Sequence, residues 1–473
     1  MNFRIRDIPL KIVDYFNNTI KQHVSTLKNI ACGRFEGLRS KDFSLVKLGG
    51  KLCTVSKNSK SSTACHGNDD VENLKGKSRE ELGKIFSKKF DGQSIETSYK
   101  GFKFECEPQC KSGIFFGRYG ENLYSSNYGS ENHISNLWKQ TISGPGEKTL
   151  PPIIRSGSSR GNESATREYC LNVAIIEKGG KEKFDQFIAK EMKKNSSGSI
   201  SISLNLSNIQ LMTPGKLGDG DIPWKQMKKL SDFSEKGSGD FYYTYKDGDK
   251  EKTVNINIKL EKPLLFNFGV NFQHFKLGPI ASSKEIDKKN AESFKQLFGA
   301  NPSELAKGEL CKEGSILGDF IKGHASETEK IAQISKLATQ IIDILKKHPR
   351  GIESNPYALP VRVILLTRLI DYATTYGCKS GKDRTGVCSL ELEMLATKLL
   401  SGEELYDPET TTDEEREILK QLYLQGEANK IAGANTGQKG LKIQEVLGFT
   451  SLSDRFGVNL AEDLSKNYLK EME

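Results

Sequence analysis

The sequence predicts a mixed α/β (α+β) fold whose central unit is a strand, a loop and a helix near the C-terminus. Residues 373–376 are largely β-branched or aromatic and favour a strand, which Gly377 ends. Beyond Thr385 the apolar residues recur at helical spacing and predict a helix. They are Val387, Leu390, Met394, Leu395 and Leu399. A separate N-terminal region of mixed composition precedes this unit.

The composition limits the classes of partner. The chain has 473 residues, enough for two or three domains, and a net charge of +9, which favours anionic partners. No block of lysine and arginine is interleaved with aromatic residues, so nucleic acid is not an expected partner. Nine cysteines without paired spacing do not form a disulfide framework or a zinc pattern, and we expect neither a metal nor another cofactor. No apolar run is long enough to predict a membrane span.

The first 150 residues contain no pattern with a recognisable chemistry. Apolar positions from Ile12 to Ile30 recur at helical spacing and predict an amphipathic helix, with Pro9 in its first turn. Three interpretations stay open: the helix packs on its own domain, lies on a membrane surface, or binds a secretion chaperone. The segment lacks the apolar core of a secretory signal peptide.

A domain boundary is predicted near residue 150, because turn-forming residues cluster between Gly144 and Ser164. Residues 1–150 then form an N-terminal region for contact with a chaperone, a membrane or another protein. Residues 151–473 form the domain that contains the strand–loop–helix unit. A chain that begins near Arg167 is therefore expected to keep the activity of this unit.

The middle of the chain predicts strands. Residues 199–211 begin with strict alternation of apolar and polar residues and shift phase at Ile209, which indicates one strand with a bulge or an early end. Residues 241–260 read as a hairpin around an Asp-Gly turn.

Helices are predicted over residues 284–298, 326–345, 361–371 and 413–424. Two of them start at pairs with the spacing of a capping box, Ser326 with Glu329 and Thr412 with Glu415.

The loop between the predicted strand and helix reads Cys378-Lys379-Ser380-Gly381-Lys382-Asp383-Arg384-Thr385-Gly386. Five residues between the cysteine and the arginine let several backbone N–H groups point at one anion at a helix start. The same donors and the helix dipole favour the thiolate of Cys378. The planar fork of Arg384 can grip two oxygens of a phosphate. This arrangement is that of a cysteine phosphatase, in which the thiolate attacks phosphorus.

Other residues of the loop have supporting roles. The hydroxyl of Thr385 can donate a hydrogen bond to the sulfur of Cys378, and Ser380 is a second such donor. Gly381 and Gly386 supply backbone freedom or room for helix packing. Gly377 stands where tyrosine phosphatases have a histidine, so stabilisation of the thiolate rests on the loop itself.

A general acid must protonate the leaving oxygen, and Asp383 is the first candidate. A purely structural role for Asp383, in an ion pair with a loop lysine, is equally open. Asp219, Asp221 and Asp371 are the alternatives.

Lys379 and Lys382 make the loop more basic than a phosphotyrosine site requires. Two lysines suit a substrate that carries a second or third phosphate group. They therefore favour a polyphosphorylated headgroup, while a solvent-facing role in charge balance is the alternative.

The loop resembles the active-site signature of the SopB/IpgD-like bacterial effector phosphoinositide phosphatases and is similar to that of inositol polyphosphate 4-phosphatases. Residues 266–271 (Phe-Asn-Phe-Gly-Val-Asn) resemble a second motif of the effector family, and Asn355-Pro-Tyr357 resembles a third. Within this resemblance, Asn267 and Asn271 support the active site or bind phosphate. Capping of a helix is the alternative for both.

The resemblance implies a substrate and a location. The substrates are phosphoinositide lipids or inositol polyphosphates, with cleavage at the 4-position. The protein leaves a bacterium through a specialised secretion system and acts in the host cytosol and at the host membrane surface. Its N-terminal half would bind a host small GTPase.

Two rival functions stay open: a protein tyrosine or dual-specificity phosphatase, and a GTPase-binding effector with secondary phosphatase activity.

Overall fold

The structure, a computed structural model, describes a defined part of the chain. This part comprises residues 43–48, 51–56, 63–66, 94–108, 137–194, 198–215, 219–270, 284–305, 314–348, 351–352, 355–379, 381, 383–425, 428 and 430–431. The helix predicted within residues 9–30 lies outside the described residues, as do Asn271, Ser380 and Lys382. For Asp383 only the backbone is described.

The described strands are β1 Phe43–Leu48, β2 Lys51–Ser56, β3 Thr63–His66, β4 Ile95–Tyr99, β5 Phe102–Pro108, β6 Trp138–Ser143, β7 Ile153–Ser156, β8 Ser199–Leu204, β9 Leu206–Gln210, β10 Phe241–Asp247, β11 Lys250–Leu260, β12 Leu264–Asn267 and β13 Ala373–Gly377. The described helices are α1 Glu163–Glu177, α2 Lys181–Lys194, α3 Ile222–Lys236, α4 Lys284–Phe298, α5 Pro302–Leu305, α6 Ile316–Gly323, α7 Thr328–Lys347, α8 Ala358–Leu369, α9 Asp383–Ser401 and α10 Asp413–Leu424. The mixed α/β class predicted from the sequence is confirmed.

A seven-stranded sheet in the order β12-β9-β13-β7-β6-β5-β4 organises the chain. The four strands from β12 to β7 are parallel, and β6, β5 and β4 continue the sheet in antiparallel pairs. The strand β13, predicted from residues 373–376, lies inside the parallel part and is buried along its whole length. Its carboxyl end therefore meets the carboxyl ends of both neighbouring strands.

The phase shift near Ile209 reflects an early end of the first strand, the second of the two predicted alternatives, and not a bulge. The strand is interrupted at Asn205. The first part, β8, pairs with β11 of the hairpin β10-β11 in a three-stranded sheet, whereas the second part, β9, belongs to the large sheet. All five residues of β9 are buried because both faces of the large sheet are covered. The predicted hairpin is confirmed as β10 and β11.

Hydrophobic cores lie on both faces of the large sheet. Successive residues of β7 alternate between them, since Ile153 belongs to one cluster and Ile154 to the other. The first cluster contains the apolar faces of α7, α8 and α9, and the second those of α1, α2 and α3. The loops at the sheet edge are therefore held between two packed layers.

One of the two predicted capping boxes is present. Thr412 and Glu415 exchange the expected hydrogen bonds at the start of α10. The prediction for Ser326 is wrong, because α7 begins at Thr328 without a side-chain cap. The N–H of Glu327 instead donates to the carbonyl of His324, in a turn that follows α6 and delays the next helix.

The sheet runs through the boundary predicted at residue 150. Strands β6 and β7 lie on opposite sides of that position and pair with each other, and β7 pairs directly with β13. A chain that begins near Arg167 would lack β4, β5, β6 and β7. We propose instead that the structural unit begins before Ile95.

We therefore expect a protein that starts at Arg167 to lose cooperative unfolding, since the exposed edge of β13 would have no partner on one side. A protein that starts at Ser94 should keep it. Thermal unfolding followed by circular dichroism compares the two. A cooperative transition in the shorter protein, at the melting temperature of the longer one, would instead support a domain boundary near residue 150.

Candidate active site

The site lies at the sheet edge where the carboxyl ends of the parallel strands meet, the usual position for ligands in such sheets. Three loops converge there, and their described residues are 157–162 after β7, 211–215 and 219–221 after β9, and 378–379 and 381 after β13. Each begins where a buried strand ends, so its first residues are fixed by the sheet. Residues far apart in the sequence are brought together in this way.

Gly377 is required by the close approach of β7 and β13. A Cβ atom on this residue would lie 2.0 Å from the carbonyl oxygen of Ser156, far inside van der Waals contact. Gly381 has φ 68°, and a Cβ there would lie 3.0 Å from the same oxygen. A histidine before the cysteine, as in tyrosine phosphatases, does not fit at Gly377. The departure noted in the sequence therefore has a steric cause.

Two carbonyl groups of the loop are held by neighbours on the β7 side. The N–H of Ser158 donates to the carbonyl of Lys379 at 3.2 Å, and Nη2 of Arg155 lies 3.5 Å from the carbonyl of Gly381. A nest of N–H groups for an anion needs the carbonyls to turn outward. These contacts meet that requirement for the two carbonyls concerned.

Cys378 is buried and held by Thr385 through two hydrogen bonds. Its backbone N–H donates to Oγ1 of Thr385 at 2.8 Å, and that hydroxyl donates to the Cys378 sulfur at 3.1 Å. The hydroxyl proton therefore points at the sulfur, as the sequence predicted. A donor in this position stabilises a negative charge on sulfur.

Arg384 is fixed by a carboxylate that lies 165 residues away in the sequence. Its Nη1 donates to Oδ2 of Asp219 and its Nη2 to Oδ1, the latter at 3.0 Å. Nη1 also donates to the carbonyl of Leu211 at 3.0 Å. The two side chains are only 14% and 10% exposed, so water screens this pair little.

The remaining donors of Arg384 form a second fork. A guanidinium has five N–H groups, and three of them make the contacts to Asp219 and Leu211 within the described residues. The other two, on Nε and Nη2, lie on the adjoining edge of the plane. Two parallel N–H donors in this arrangement can each donate to a different oxygen of one phosphate group.

Asp219 is an anchor for Arg384 in this arrangement. Burial on its own would raise the pKa of Asp219, but the charge and hydrogen bonds of Arg384, helped by the N–H of Thr213 and by Lys379, hold that pKa below its ordinary value. The carboxyl group is therefore ionised at neutral pH. An ionised carboxylate has no proton to give, which removes Asp219 from the acid candidates in this state.

The other alternative acids lie on the surface. Asp371 precedes β13 and pairs with Lys330, so the whole length of the strand separates it from Cys378. Asp221 is 65% exposed and pairs with Lys225 on α3. Asp383 is the first residue of α9 and directly precedes Arg384. Because its backbone lies beside Arg384, it stays the first candidate for the general acid.

Asn267 lies near the site without a described contact to its side chains. Its Oδ1 accepts the N–H of Gly269 at 3.0 Å, which closes a tight turn at the end of β12, and the side chain contacts neither Cys378 nor Arg384 among the described residues. A Cβ atom at Gly269 would lie 3.5 Å from Pro214 and 3.6 Å from the carbonyl oxygen of Met212, so the turn lies beside the loop that carries Asp219. Asn267 gives no phosphate contact among the described residues.

Tyr357 is a site residue to which the sequence reasoning assigned no role. It is 2% exposed, and its side chain lies within electrostatic reach of Cys378, Arg384 and Cys388. Burial raises the pKa of its hydroxyl well above the ordinary value, so the phenol stays neutral. The Asn-Pro-Tyr resemblance was the signal that could have placed it here.

Within the described ranges no cluster of three or more histidine, cysteine, aspartate or glutamate side chains is arranged to hold a metal ion. No helix among those residues is both long enough and apolar enough to cross a membrane.

The fold and the site define an α/β protein in which a cysteine and an arginine meet at the carboxyl edge of the parallel strands. The chain belongs to the family described as enterobacterial virulence protein IpgD, whose model matches residues 110–464. The match covers all three converging segments, including the loop that begins at Cys378.

Two curated relatives illustrate the similarity. The chain is 25% identical over 399 residues to the inositol phosphate phosphatase IpgD of Shigella flexneri, covering 80% of this chain and 70% of the relative. It is 28% identical over 340 residues to the inositol phosphate phosphatase SopB of Salmonella typhimurium, covering 69% and 57%. A solved Legionella phosphoinositide phosphatase, SidF, aligns with TM-score 0.43 and 12% identity over 78% of this chain and 74% of that one.

The ion pair of Asp219 and Arg384 predicts a dependence of stability on pH. Because the folded-state pKa of Asp219 is lowered, its contribution is fully present above the unfolded value of about 3.9 and is lost as the pH falls through the folded value. We expect the free energy of unfolding to be lower in Asp219→Asn than in the wild type, by a constant amount above about pH 5. This difference should shrink below about pH 4.

Urea unfolding between pH 3 and pH 7 measures this difference. Asp221→Asn is the matched control, since its exposed pair with Lys225 should contribute little at any pH. A difference for Asp219→Asn that stays constant down to pH 3 would show that the carboxylate is not held ionised by Arg384.

Proposed function

We propose that this chain is a phosphatase that removes phosphate from inositol phosphates, in phosphoinositide lipids or in soluble inositol polyphosphates, through a phosphocysteine intermediate. The observation that carries the proposal is the geometry of Cys378, Thr385 and Arg384 at one sheet edge. The names of the family's relatives support the class of substrate.

In the first step the sulfur of Cys378 attacks phosphorus, the S–P bond forms and the bond from phosphorus to the inositol oxygen breaks. The free fork of Arg384 holds two of the equatorial oxygens as charge accumulates on them. Thr385 stabilises the thiolate before attack. The leaving oxygen takes a proton from a general acid, for which Asp383 is our proposal.

In the second step water attacks phosphorus, the S–P bond breaks and the thiolate returns. Asp383, now ionised, accepts the proton of the attacking water, so the enzyme ends in its starting protonation state. The hydrogen bond from Thr385 also eases the departure of sulfur, because it stabilises the negative charge that returns to it.

The charge around the loop supports a substrate with more than one phosphate. Burial lowers the pKa of Lys379, and the charges of Arg160 and Arg384 lower it further, while Asp219 opposes the shift. Lys379 and Arg384 are thus two cations near one carboxylate, Asp219, which binds Arg384. A polyphosphorylated inositol ring would bring further negative charge to these cations, and we propose the 4-phosphate as the group that is cleaved.

The family's description as virulence proteins supports a role outside the bacterium. We propose that the protein is an effector delivered into a host cell by a specialised secretion system and that it acts at the membrane surface. A host small GTPase and a secretion chaperone remain proposed partners of the N-terminal region.

Phosphate release from a panel of phosphoinositides, inositol polyphosphates and phosphopeptides tests the proposal. We expect release from the inositol compounds, and we expect Cys378→Ser to abolish it with an unchanged melting temperature, because serine is not ionised at neutral pH. Arg384→Lys should lose at least about 10²-fold in kcat/KM, since a point charge does not replace a bidentate fork.

Gly323→Ala is the control, because a Cβ atom there has nothing within 4 Å. Release from phosphopeptides alone would assign the protein to the protein phosphatases. Turnover by Cys378→Ser at the wild-type rate would remove the cysteine mechanism.

A further inference from the structure

Arg155 is a buried cation beside the loop that begins at Cys378. It lies on β7 opposite Tyr376, two residues before Cys378, and its side chain is fully buried. The next residue of β7, Ser156, is so close to the loop that a Cβ atom on Gly381 would lie 3.0 Å from the carbonyl oxygen of Ser156. The strand that carries Arg155 therefore packs directly against the loop.

The guanidinium of Arg155 makes one hydrogen bond and leaves two nitrogen atoms without a partner. Its Nη2 lies 3.5 Å from the carbonyl oxygen of Gly381. Its Nε and Nη1 are buried and have no hydrogen-bond partner among the described residues. Arg368 and Arg384 each pair with a carboxylate, whereas Arg155 has no such pair within the described part of the chain.

A buried charge without an opposite charge is unfavourable. Taking a cation out of water costs free energy, which an ion pair or a full set of hydrogen bonds must offset. Almost all buried polar groups of native proteins have partners, and the exceptions are found where a group has a function. The unpaired charge of Arg155 lies one hydrogen bond away from the loop and favours negative charge there.

The contact with Gly381 restrains a carbonyl that has no other local restraint. N–H groups converge on an anion only while the carbonyls of the same loop point away from it. Gly381 has φ 68°, a conformation that glycine enters and leaves easily because it lacks a side chain. Arg155 binds this carbonyl from the β7 side, and so holds it in one direction.

The buried polar groups nearest to Arg155 already have partners. The hydroxyl of Tyr376 donates to Oε1 of Gln140 at 2.7 Å. The amide nitrogen of Gln140 donates in turn to Ser389 and Glu393. These bonds form without Arg155, so a role in completing this network does not account for a buried arginine at this position.

We infer that Arg155 is a positioning residue of the active site, which holds the carbonyl of Gly381 away from the bound anion and favours a phosphoryl group in the loop through its buried charge. This inference rests on the proposed function. Arg155 touches none of the reacting atoms, and the phosphate is gripped by Arg384.

The test compares Arg155→Lys, Arg155→Gln and Arg155→Met with the wild type. Lysine keeps the charge, glutamine keeps a donor without the charge, and methionine keeps only apolar volume. Arg368→Met is the matched control, because Arg368 is also a buried arginine but pairs with Glu177 at the end of α8, before β13 begins.

Three quantities are measured for each protein. Isothermal titration calorimetry gives the dissociation constant of tungstate, a tetrahedral oxyanion that occupies a phosphate site without being hydrolysed. Phosphate release gives kcat/KM on p-nitrophenyl phosphate and on a soluble inositol bisphosphate. Circular dichroism gives the melting temperature, so that binding is compared well below the unfolding transition.

We expect Arg155→Gln and Arg155→Met to bind tungstate about 10- to 10²-fold more weakly, as loss of a charge-assisted hydrogen bond does. Both should lose a similar factor in kcat/KM on both substrates, because the loop is common to them. Arg155→Lys should recover most of these losses. Arg368→Met should melt at a lower temperature and still bind tungstate like the wild type.

Wild-type affinity for tungstate in Arg155→Gln and Arg155→Met would overturn the inference. Equal losses in Arg155→Lys and Arg155→Met would overturn it too, since they would show that packing and not charge is required. An equal loss in Arg368→Met would assign the effect to lower stability. Should Arg155→Met fail to fold, the comparison of lysine with glutamine decides.

A different result would count against the proposed function. Wild-type protein that binds tungstate but releases no phosphate from the inositol bisphosphate would defeat the proposed substrate class. The affinities of the Arg155 variants for tungstate are measured without turnover, so the two failures are distinguishable.

Discussion

The paired hydrogen bonds between Arg384 and Asp219 are the interaction on which the site depends. A free arginine side chain samples many rotamers, and ordering one costs free energy. Here one edge of the guanidinium is fixed by a carboxylate and by the carbonyl of Leu211. The adjoining edge, formed by Nε and Nη2, is thereby fixed in place before any anion arrives, which is the preorganisation that electrostatic catalysis requires.

The rest of the fold positions this ion pair and the sulfur of Cys378. The parallel strands β9, β13 and β7 bring the three loops to one edge, and the contact of Ser156 with Gly377 sets how closely two of them approach. The Asn267 turn packs against the loop that carries Asp219. The motif therefore lies beside the loop that anchors Arg384 and makes no described contact with Cys378 or Arg384.

How much the sequence predicted depended on the distance between the residues concerned. Cys378, Arg384 and Thr385 lie within eight consecutive residues, so their spacing along the chain was enough to predict that they meet. The structure shows the expected contact between Thr385 and the sulfur. The role of Asp219 could not be read in this way, because the pair joins residues 165 positions apart. The boundary at residue 150 followed turn-forming residues, which mark a loop between strands as readily as a linker between domains.

A covalent bond between Cys378 and the phosphoryl group is the step on which the proposed mechanism depends. Rapid acid quenching of the protein during turnover of an inositol bisphosphate, followed by mass spectrometry of its peptides, tests this most directly. We expect one added phosphoryl group on the peptide that contains Cys378, absent when substrate is omitted. A phosphoryl group found on another residue, with none on Cys378, would contradict the phosphocysteine mechanism.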